Sequence, residues 1–175
     1  MLKEQIQNDL KEAFKKNEKD LVSVLRLLTA AFQNKEIEKR TKLSKSQPET
    51  GRPWADEPVE KLEELSKLTE EEVLEVISFE AKKRRDSIFE FEKGGRQDLA
   101  DKEKQELEIL QKYLPEQLSE EEIKKLVKEA IEKIGASEPK DMGKVMAELS
   151  PKIKGKADGS LVSKIVKELL MPKTE

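Results

Sequence analysis

The sequence predicts an all-α fold, with an N-terminal helical bundle followed by a small three-helix C-terminal domain. Of 175 residues, 42% are charged and only 4% are aromatic. Leu, Ile and Val nevertheless recur at spacings of three and four, which is typical of amphipathic helices with narrow buried stripes. No stretch shows the alternating apolar and polar pattern of a strand.

Two helices are predicted at the N-terminus. The first covers about residues 2–16 and ends at Asn17. The second is more apolar, begins at a cap formed by Asp20 and ends near residue 39. The residues expected to point inward on these helices are Leu2, Ile6, Leu10, Ala13 and Phe14, then Leu21, Val24, Leu25, Leu28, Ala31, Phe32 and Ile37.

Helical periodicity fails from Thr41, and prolines and glycine interrupt the following residues 44–58. This composition predicts an exposed segment. Trp54 lies alone within it. An aromatic residue in such a loop can be an interaction point, but we favour a local anchor that folds back on the domain.

The next two helices have clear boundaries. Thr69 and Glu72 form a capping-box pattern that starts a long helix, which Gly94 and Gly95 end. A further helix is predicted over about residues 98–113, before Pro115, because proline disfavours helical geometry at the preceding residue. We place the domain boundary here, giving an N-terminal domain over 1–116 and a C-terminal domain over 117–175.

The C-terminal domain is predicted to hold three helices. Ser119 and Glu122 repeat the capping-box pattern, and this helix ends at Gly135. Two more helices are expected over about 139–149 and 160–170. The loop PKIKGKADGS, residues 151–160, joins them.

Composition excludes much of enzyme chemistry. The chain contains no Cys and no His, so Ser-His-Asp and Cys-His arrangements and thiolate metal sites are absent. Ser160 and Lys164 could form a Ser-Lys dyad, but the lysine would need burial and its surroundings are polar. We predict no catalytic residues, no metal and no cofactor.

Charge and apolar runs indicate the surroundings of the protein. The apolar runs are too short to cross a bilayer, and the N-terminal residues do not resemble a signal peptide. We expect a cytoplasmic protein that does not enter the membrane. Its net charge of −3 gives no general attraction to nucleic acid, so any such binding needs a local patch.

The loop at 151–160 is the best candidate for that patch. Lysines alternate with small or apolar residues, glycines let the backbone approach a ligand, and Asp158 or Ser160 can cap the last helix. Lysines beside the N–H groups of a helix N-terminus favour phosphate. The opposing interpretation is a soluble turn with Ile153 packed inward. Lys144 and Lys164 are expected to flank the same helix end.

Other basic residues are interpreted as structural. Lys82, Lys83, Arg84 and Arg85 form a run that helical geometry spreads around the axis, and nearby acids favour a solvated, salt-bridged face. Arg26 lies between Leu25 and Leu27. We expect it to pair with an acid of a neighbouring helix rather than to contact a ligand.

Several stretches resemble the YqeY family, also called the GatB/YqeY-like family. They are SVLRLLTAAFQNKEIEKR, FEAKKRRDSIFEFEKGGRQDLADKE, ILQKYLPEQLSEEE, GASEPKDMGKVMAELSPKIKGKADGS and LVSKIVKELL. The phrases YLPEQLSEEE, DMGKVM and KGKADGS, in that order, are the most specific. The resemblance covers nearly the whole chain except about residues 42–66, which look like an insertion.

The resemblance implies a helical N-terminal domain and a C-terminal domain like the tail of GatB, a subunit of the tRNA-dependent amidotransferase. In that enzyme the tail is associated with holding tRNA, and other domains perform the chemistry. The residues carried over as RNA contacts are Lys144, Lys152, Lys154, Gly155, Lys156, Asp158, Gly159 and Ser160, together with Asp141 and Gly143. A glycine inside a helix, as at Gly143, suggests close packing or close ligand approach.

We therefore expect a non-catalytic accessory protein that binds tRNA or another structured RNA, with tRNA-charging or amidotransferase proteins as further partners. One alternative is a helical protein-interaction module in which the lysine loop docks an acidic partner. Another is a component of a carbon-nitrogen ligase complex that uses glutamine as amide donor. This second alternative follows from the resemblance alone.

Overall fold

The computed structural model describes residues 1–45 and 59–171. Within these ranges all regular structure is helical, which confirms the all-α prediction. The chain divides into two compact units, Met1–Tyr113 and Leu114–Glu175, hereafter the N-terminal and C-terminal units. The sequence places the division three residues later.

The N-terminal unit contains five of the described helices. They are α1 (Leu2–Lys16), α2 (Lys19–Lys45), α3 (Val59–Ser66), α4 (Glu70–Lys93) and α5 (Gln97–Gln111). Its core is formed mainly by apolar side chains of α2 and α4, among them Leu25, Phe32 and Ile77, each of which is fully buried. Tyr113, which follows α5, contacts α1 through a hydrogen bond that its hydroxyl donates to the Asp9 carboxylate at 2.8 Å.

The C-terminal unit is a three-helix bundle. Its helices are α6 (Glu120–Ile134), α7 (Met142–Ile153) and α8 (Gly159–Leu170), with a short 3-10 turn at Pro139–Asp141 before α7. All three helices contribute to one apolar core, which contains Ile123, Val127, Ala130, Val145, Leu149, Ile153, Val162, Ile165, Val166 and Leu170.

Several helix ends follow from local chemistry at the predicted residues. The predicted Asp20 cap is wrong, because α2 begins at Lys19 and contains Asp20 in its first turn. Thr69 and Ser119 each accept the N–H of the residue three positions later, and Glu72 and Glu122 bond back to the N–H of the cap. Asn17 ends α1 with φ of 57°, and Gly135 ends α6 with φ of 67°. These left-handed residues let the chain leave the helix while its last carbonyls stay bonded.

The middle of the N-terminal unit differs from the prediction. Helix α2 continues to Lys45 rather than ending near residue 39, because Glu38 pairs with both Lys35 and Lys42 and supports a polar helix. Ile37 is 56% exposed and Phe14 is 66% exposed, so both inward assignments were wrong.

Helix α3 was not predicted. It is only eight residues long, and contacts with α2 hold it in place: Arg40 Nη1 lies 3.4 Å from Glu63, and Arg40 Nε donates to Ser66 Oγ at 3.4 Å. The proposed insertion at about 42–66 overlaps α2 and α3. The expected exposed segment, apart from Ser44 and Lys45, lies outside the described residues, as does Trp54.

The basic run at 82–85 is not a uniformly solvated face. Arg84 is 8% exposed and lies between two carboxylates, with Nη1 at 2.8 Å from Glu80 of the same helix and Nη2 at 3.3 Å from Glu106 of α5. Lys83 meets Glu80 at 2.9 Å from the exposed side. We call Glu80, Arg84 and Glu106 the Arg84 cluster; it joins α4 to α5.

Candidate functional site

The candidate site is a shorter connection than the sequence suggested. Helix α7 runs through Pro151 and Lys152 to Ile153, so the predicted end at residue 149 was wrong. The apolar stripe explains the extension, because Val145, Leu149 and Ile153 are spaced by four and all are buried. Residues 154–158 connect α7 to α8, and we call residues 152–158 the lysine turn.

Two features hold the backbone of the lysine turn. They are the conformation of Gly155 and a pair of hydrogen bonds from Gln117 and Leu118, which we call the clasp. Gly155 is buried and has φ of 73°, a left-handed conformation that favours glycine. The side-chain amide of Gln117 donates to the Gly155 carbonyl at 2.8 Å, and the Leu118 N–H donates to the Lys156 carbonyl at 2.7 Å. Two segments that carry the family resemblance, PEQL and KGKA, therefore meet in space.

This clasp was missed by sequence reasoning. Gln117 also donates to the Pro115 carbonyl at 2.8 Å, so its amide bridges two backbone carbonyls 40 residues apart in the chain. A glutamine two residues after a proline gives no periodic or capping signal. The sequence gives one indication of this contact: Gln117 lies in YLPEQLSEEE and the lysine turn in KGKADGS, and both phrases are among those most specific to the family resemblance.

The lysines differ in their electrostatic surroundings. Lys152 lies on the last turn of α7, 3.8 Å from Glu148, and Glu148 also pairs with Lys133 at 2.6 Å. Lys133 is the main cause that holds the pKa of Glu148 below its ordinary value, so this carboxylate stays ionised. Lys156 is exposed and takes part in no ion pair with the described residues. It is the most available cation of the turn.

Asp158 changes the chemistry expected at the start of α8. Its carboxylate accepts the N–H of Ser160 at 2.7 Å and that of Leu161 at 3.3 Å. Of the two candidate caps, Asp158 takes the role, and it fills two of the N–H groups that were expected to remain free for phosphate. A carboxylate at this helix end also opposes a second anion. The lysines are left as the attractive groups.

Lys144 does not join the turn. It lies near the start of α7, eight residues before Lys152, which corresponds to about 12 Å along a helix axis. Its ammonium group is 2.9 Å from the Asp141 carboxylate, which raises the pKa of Lys144 above its ordinary value. Lys144 and Asp141 therefore form their own ion pair, separate from the lysine turn.

The two helical glycines have no packing explanation. A methyl group added at Gly143 or at Gly159 would meet nothing within 4 Å. The expectation of close packing at Gly143 is therefore wrong within this structure. Close approach of a ligand stays a prediction.

Two other kinds of feature are absent from residues 1–45 and 59–171. No group of three or more acidic side chains there is arranged to hold a metal ion. No helix within these ranges is long and apolar enough to span a membrane.

Comparison with known proteins identifies the family. Residues 3–49 and 56–170 match the family model described as "Yqey-like protein". The chain belongs to the YqeY family. Only residues 50–55 interrupt the match, so the stretch that departs from the family is much shorter than the predicted insertion at 42–66.

One curated relative aligns with part of this YqeY-family chain. It is altered inheritance of mitochondria protein 41, mitochondrial, from Pyrenophora tritici-repentis, and it is 38% identical over 106 residues. The alignment covers 58% of this chain and 58% of the relative. The relative is named as mitochondrial, and a cytoplasmic location for this chain stays a prediction.

Proposed function

We propose that this YqeY-family protein is a non-catalytic accessory protein that binds structured RNA, with tRNA as the favoured class, through the lysine turn. The observation that carries the proposal is a group of lysines on a turn whose backbone is hydrogen-bonded to the preceding segment. Lys154 and Lys156 lie on the connection and Lys152 just before it, and the Gly155 and Lys156 carbonyls accept hydrogen bonds from residues 117 and 118. Phosphate contacts of this kind position an RNA without reading its bases.

Local charge supports the proposal better than overall charge. Residues 114–175 contain twelve lysines and twelve acidic residues, so the C-terminal unit is formally neutral. The interval from 151 to 164 has four lysines and one acid, Asp158. At physiological salt a charge acts over about 8 Å, so the local excess governs contact with a phosphate.

The lysines rather than the helix N–H groups make the contact, because Asp158 occupies the N–H groups of Ser160 and Leu161. Asp158, Gly159 and Ser160 therefore shape the turn and start α8. The family resemblance to the GatB tail favours tRNA and extends the proposal to tRNA-charging or amidotransferase proteins as partners. We propose no amidotransfer by this chain itself.

A salt series tests the proposal. Replacing Lys152, Lys154 and Lys156 together with glutamine should weaken tRNA binding and reduce the slope of log K against log salt by about two to three, since each phosphate contact releases about one counterion. The matched control replaces Lys125, Lys128 and Lys167, which are exposed on α6 and α8 of the same unit. It removes the same charge and should leave the slope nearly unchanged.

Two results would contradict the proposal. One is equal loss in the two triple variants, which would indicate a non-specific effect of net charge. The other is a parent protein that shows no tRNA binding at low salt. Circular dichroism must show equal helix content in all three proteins, because unfolding would also remove binding.

A further inference from the structure

The N-terminal unit has a surface groove between the end of α1 and the start of α2, here called the α1–α2 groove. Its volume is about 480 Å³, within the range of ligand-binding clefts. The residues that line it are Phe14, Asn17, Lys19, Val22, Ser23, Arg26 and Leu27.

The groove exposes apolar side chains that a helical core normally covers. Phe14 is 66% exposed and Leu27 is 52% exposed. Arg26 is also exposed, and its guanidinium lies 5.8 Å from the centroid of the Phe14 ring. The expected pairing of Arg26 with an acid of a neighbouring helix was wrong, because it takes part in no ion pair with the described residues.

The charges of the groove have one sign. Among the described residues that line it, Lys19 and Arg26 are cations and none is a carboxylate. A second groove, between α2 and α4, provides a comparison within the same unit. It also has an exposed aromatic, Phe79, but three glutamates and one lysine line it. Two of those glutamates, Glu38 and Glu80, are already paired with lysines.

We propose that the α1–α2 groove binds an acidic amphipathic helix of a partner protein. Apolar side chains spaced by three or four residues on that helix would cover Phe14 and Leu27, and flanking Asp or Glu would meet Lys19 and Arg26. Aromatic side chains and arginine are enriched at the centres of protein interfaces, and arginine is also enriched among the residues that carry most of the binding energy. The described lining has one aromatic ring, the aliphatic Val22 and Leu27 and two cations, whereas single strands of nucleic acid bind to basic grooves with successive stacking aromatics, so we favour a protein.

This binding mode is independent of the lysine turn. Phe14→Ala should leave tRNA binding unchanged, and the lysine-to-glutamine triple variant should leave helix binding unchanged. Failure of one proposal therefore leaves the other intact.

A library of random peptides tests the groove even while its natural partner is unidentified. A phage-displayed library of 16-residue peptides is selected on the full chain at about 0.15 M salt, with counter-selection on a Phe14→Ser, Arg26→Glu double variant. Enriched peptides should carry apolar residues at i and i+3 or i+4 with Asp or Glu within one turn. The backbone amide signals of Asn17 and Ser23 should shift when a synthetic copy binds.

Single variants then measure the contacts. Phe14→Ala and Leu27→Ala should each weaken the selected peptide by about tenfold, and Arg26→Glu by roughly fivefold. A peptide with Lys in place of its Glu should bind Arg26→Glu better than the parent. Ile37→Ala and Lys102→Glu alter an exposed apolar residue and an exposed cation outside the groove, so they should bind like the parent.

Several outcomes would overturn the proposal. They are the absence of an acidic and apolar consensus, binding that the groove variants leave unchanged, and amide shifts at the groove caused by single-stranded RNA instead of peptide. Concentration-dependent dimerisation that Phe14→Ala abolishes would assign the groove to a second copy of the chain.

Discussion

Removal of the Arg84 side-chain charge should destabilise the N-terminal unit more than any change to its exposed ion pairs. Arg84→Met keeps a long side chain but removes the guanidinium group that pairs with Glu80 and Glu106. Both carboxylates lie at the edge of the core, where their side chains are 12% and 17% exposed. Glu80 would keep Lys83 as its partner at 2.9 Å. Glu106 would keep no ion-pair partner among the described residues.

The magnitude follows from opposing contributions. Removing one partner of a buried ion pair typically costs about 3–5 kcal/mol. Arg84 Nε is itself buried without a hydrogen-bond partner in the described structure, so its removal offsets about 1 kcal/mol of that cost in the free energy of unfolding. The expected net loss is therefore about 2–4 kcal/mol. With a typical slope of about 2 kcal/mol per molar urea, the unfolding midpoint should fall by about 1–2 M.

The assay must separate the two units. Urea unfolding followed by amide NMR signals gives one midpoint from Ala81 and Ala100, which are buried in the N-terminal unit, and another from Val145 and Val162 of the C-terminal unit. Only the first midpoint should fall. Lys83→Met is the matched control, because Lys83 pairs with the same carboxylate but is 53% exposed. It should cost less than about 1 kcal/mol.

Replacing Glu80, Arg84 and Glu106 together with Met provides a further check. This triple variant leaves no unpaired carboxylate in the Arg84 cluster. It should recover most of the stability lost in Arg84→Met, because apolar groups of similar volume often replace buried ion pairs without penalty. Equal losses in Arg84→Met and Lys83→Met would refute the reasoning. A loss below about 1 kcal/mol in the free energy of unfolding of Arg84→Met would also refute it. Leaving the largely buried Glu106 carboxylate without its partner should cost more than breaking an exposed pair.

Two other predictions concern Tyr113 and Gly155. Burial, and next the hydrogen bond to Asp9, raise the pKa of Tyr113, the sole tyrosine, above its ordinary value of 10.0. Its phenolate absorbance should therefore titrate at higher pH in the folded chain than in denaturant, and the free energy of unfolding should fall as pH rises past about 10, because the folded state binds the proton more tightly. Matching titrations in the two states would contradict this. Gly155→Ala should cost about 1–2 kcal/mol, seen as a lower melting temperature of the C-terminal unit, because φ of 73° is unfavourable for alanine. Gly143→Ala, at an open helical position, should instead be neutral or stabilising, and the reverse order would exclude this explanation.

The predictable parts of this fold are those that a few neighbouring residues determine. Thr69 with Glu72 and Ser119 with Glu122 close their capping boxes within four residues, so the sequence locates both helix starts independently of the rest of the chain. Asn17 and Gly135 end helices for an equally local reason. The fold class follows from these signals and the apolar spacing.

The unpredicted parts depend on which helix packs against which. Arg84 and Arg85 are adjacent and chemically alike, yet Arg84 is buried because Glu106 of α5 faces it. Ala13 and Phe14 are adjacent on α1 and both were expected to point inward, yet only Ala13 enters the core. Composition and spacing cannot separate such neighbours, because the direction of burial is set by helices that lie elsewhere in the sequence.

The candidate site combines both kinds of determinant. Alternating lysines were visible in the sequence, but a flexible lysine loop would present no fixed pattern of charge to an RNA. Hydrogen bonds from Gln117 and Leu118 hold the backbone that carries these lysines, and they join residues separated by 38 positions. Because Asp158 already occupies the Ser160 and Leu161 N–H groups at the start of α8, the RNA binding that we propose would draw its affinity from lysines acting as point charges. Such contacts recognise the spacing of phosphates, so the selectivity of this turn should lie in RNA shape rather than in RNA sequence.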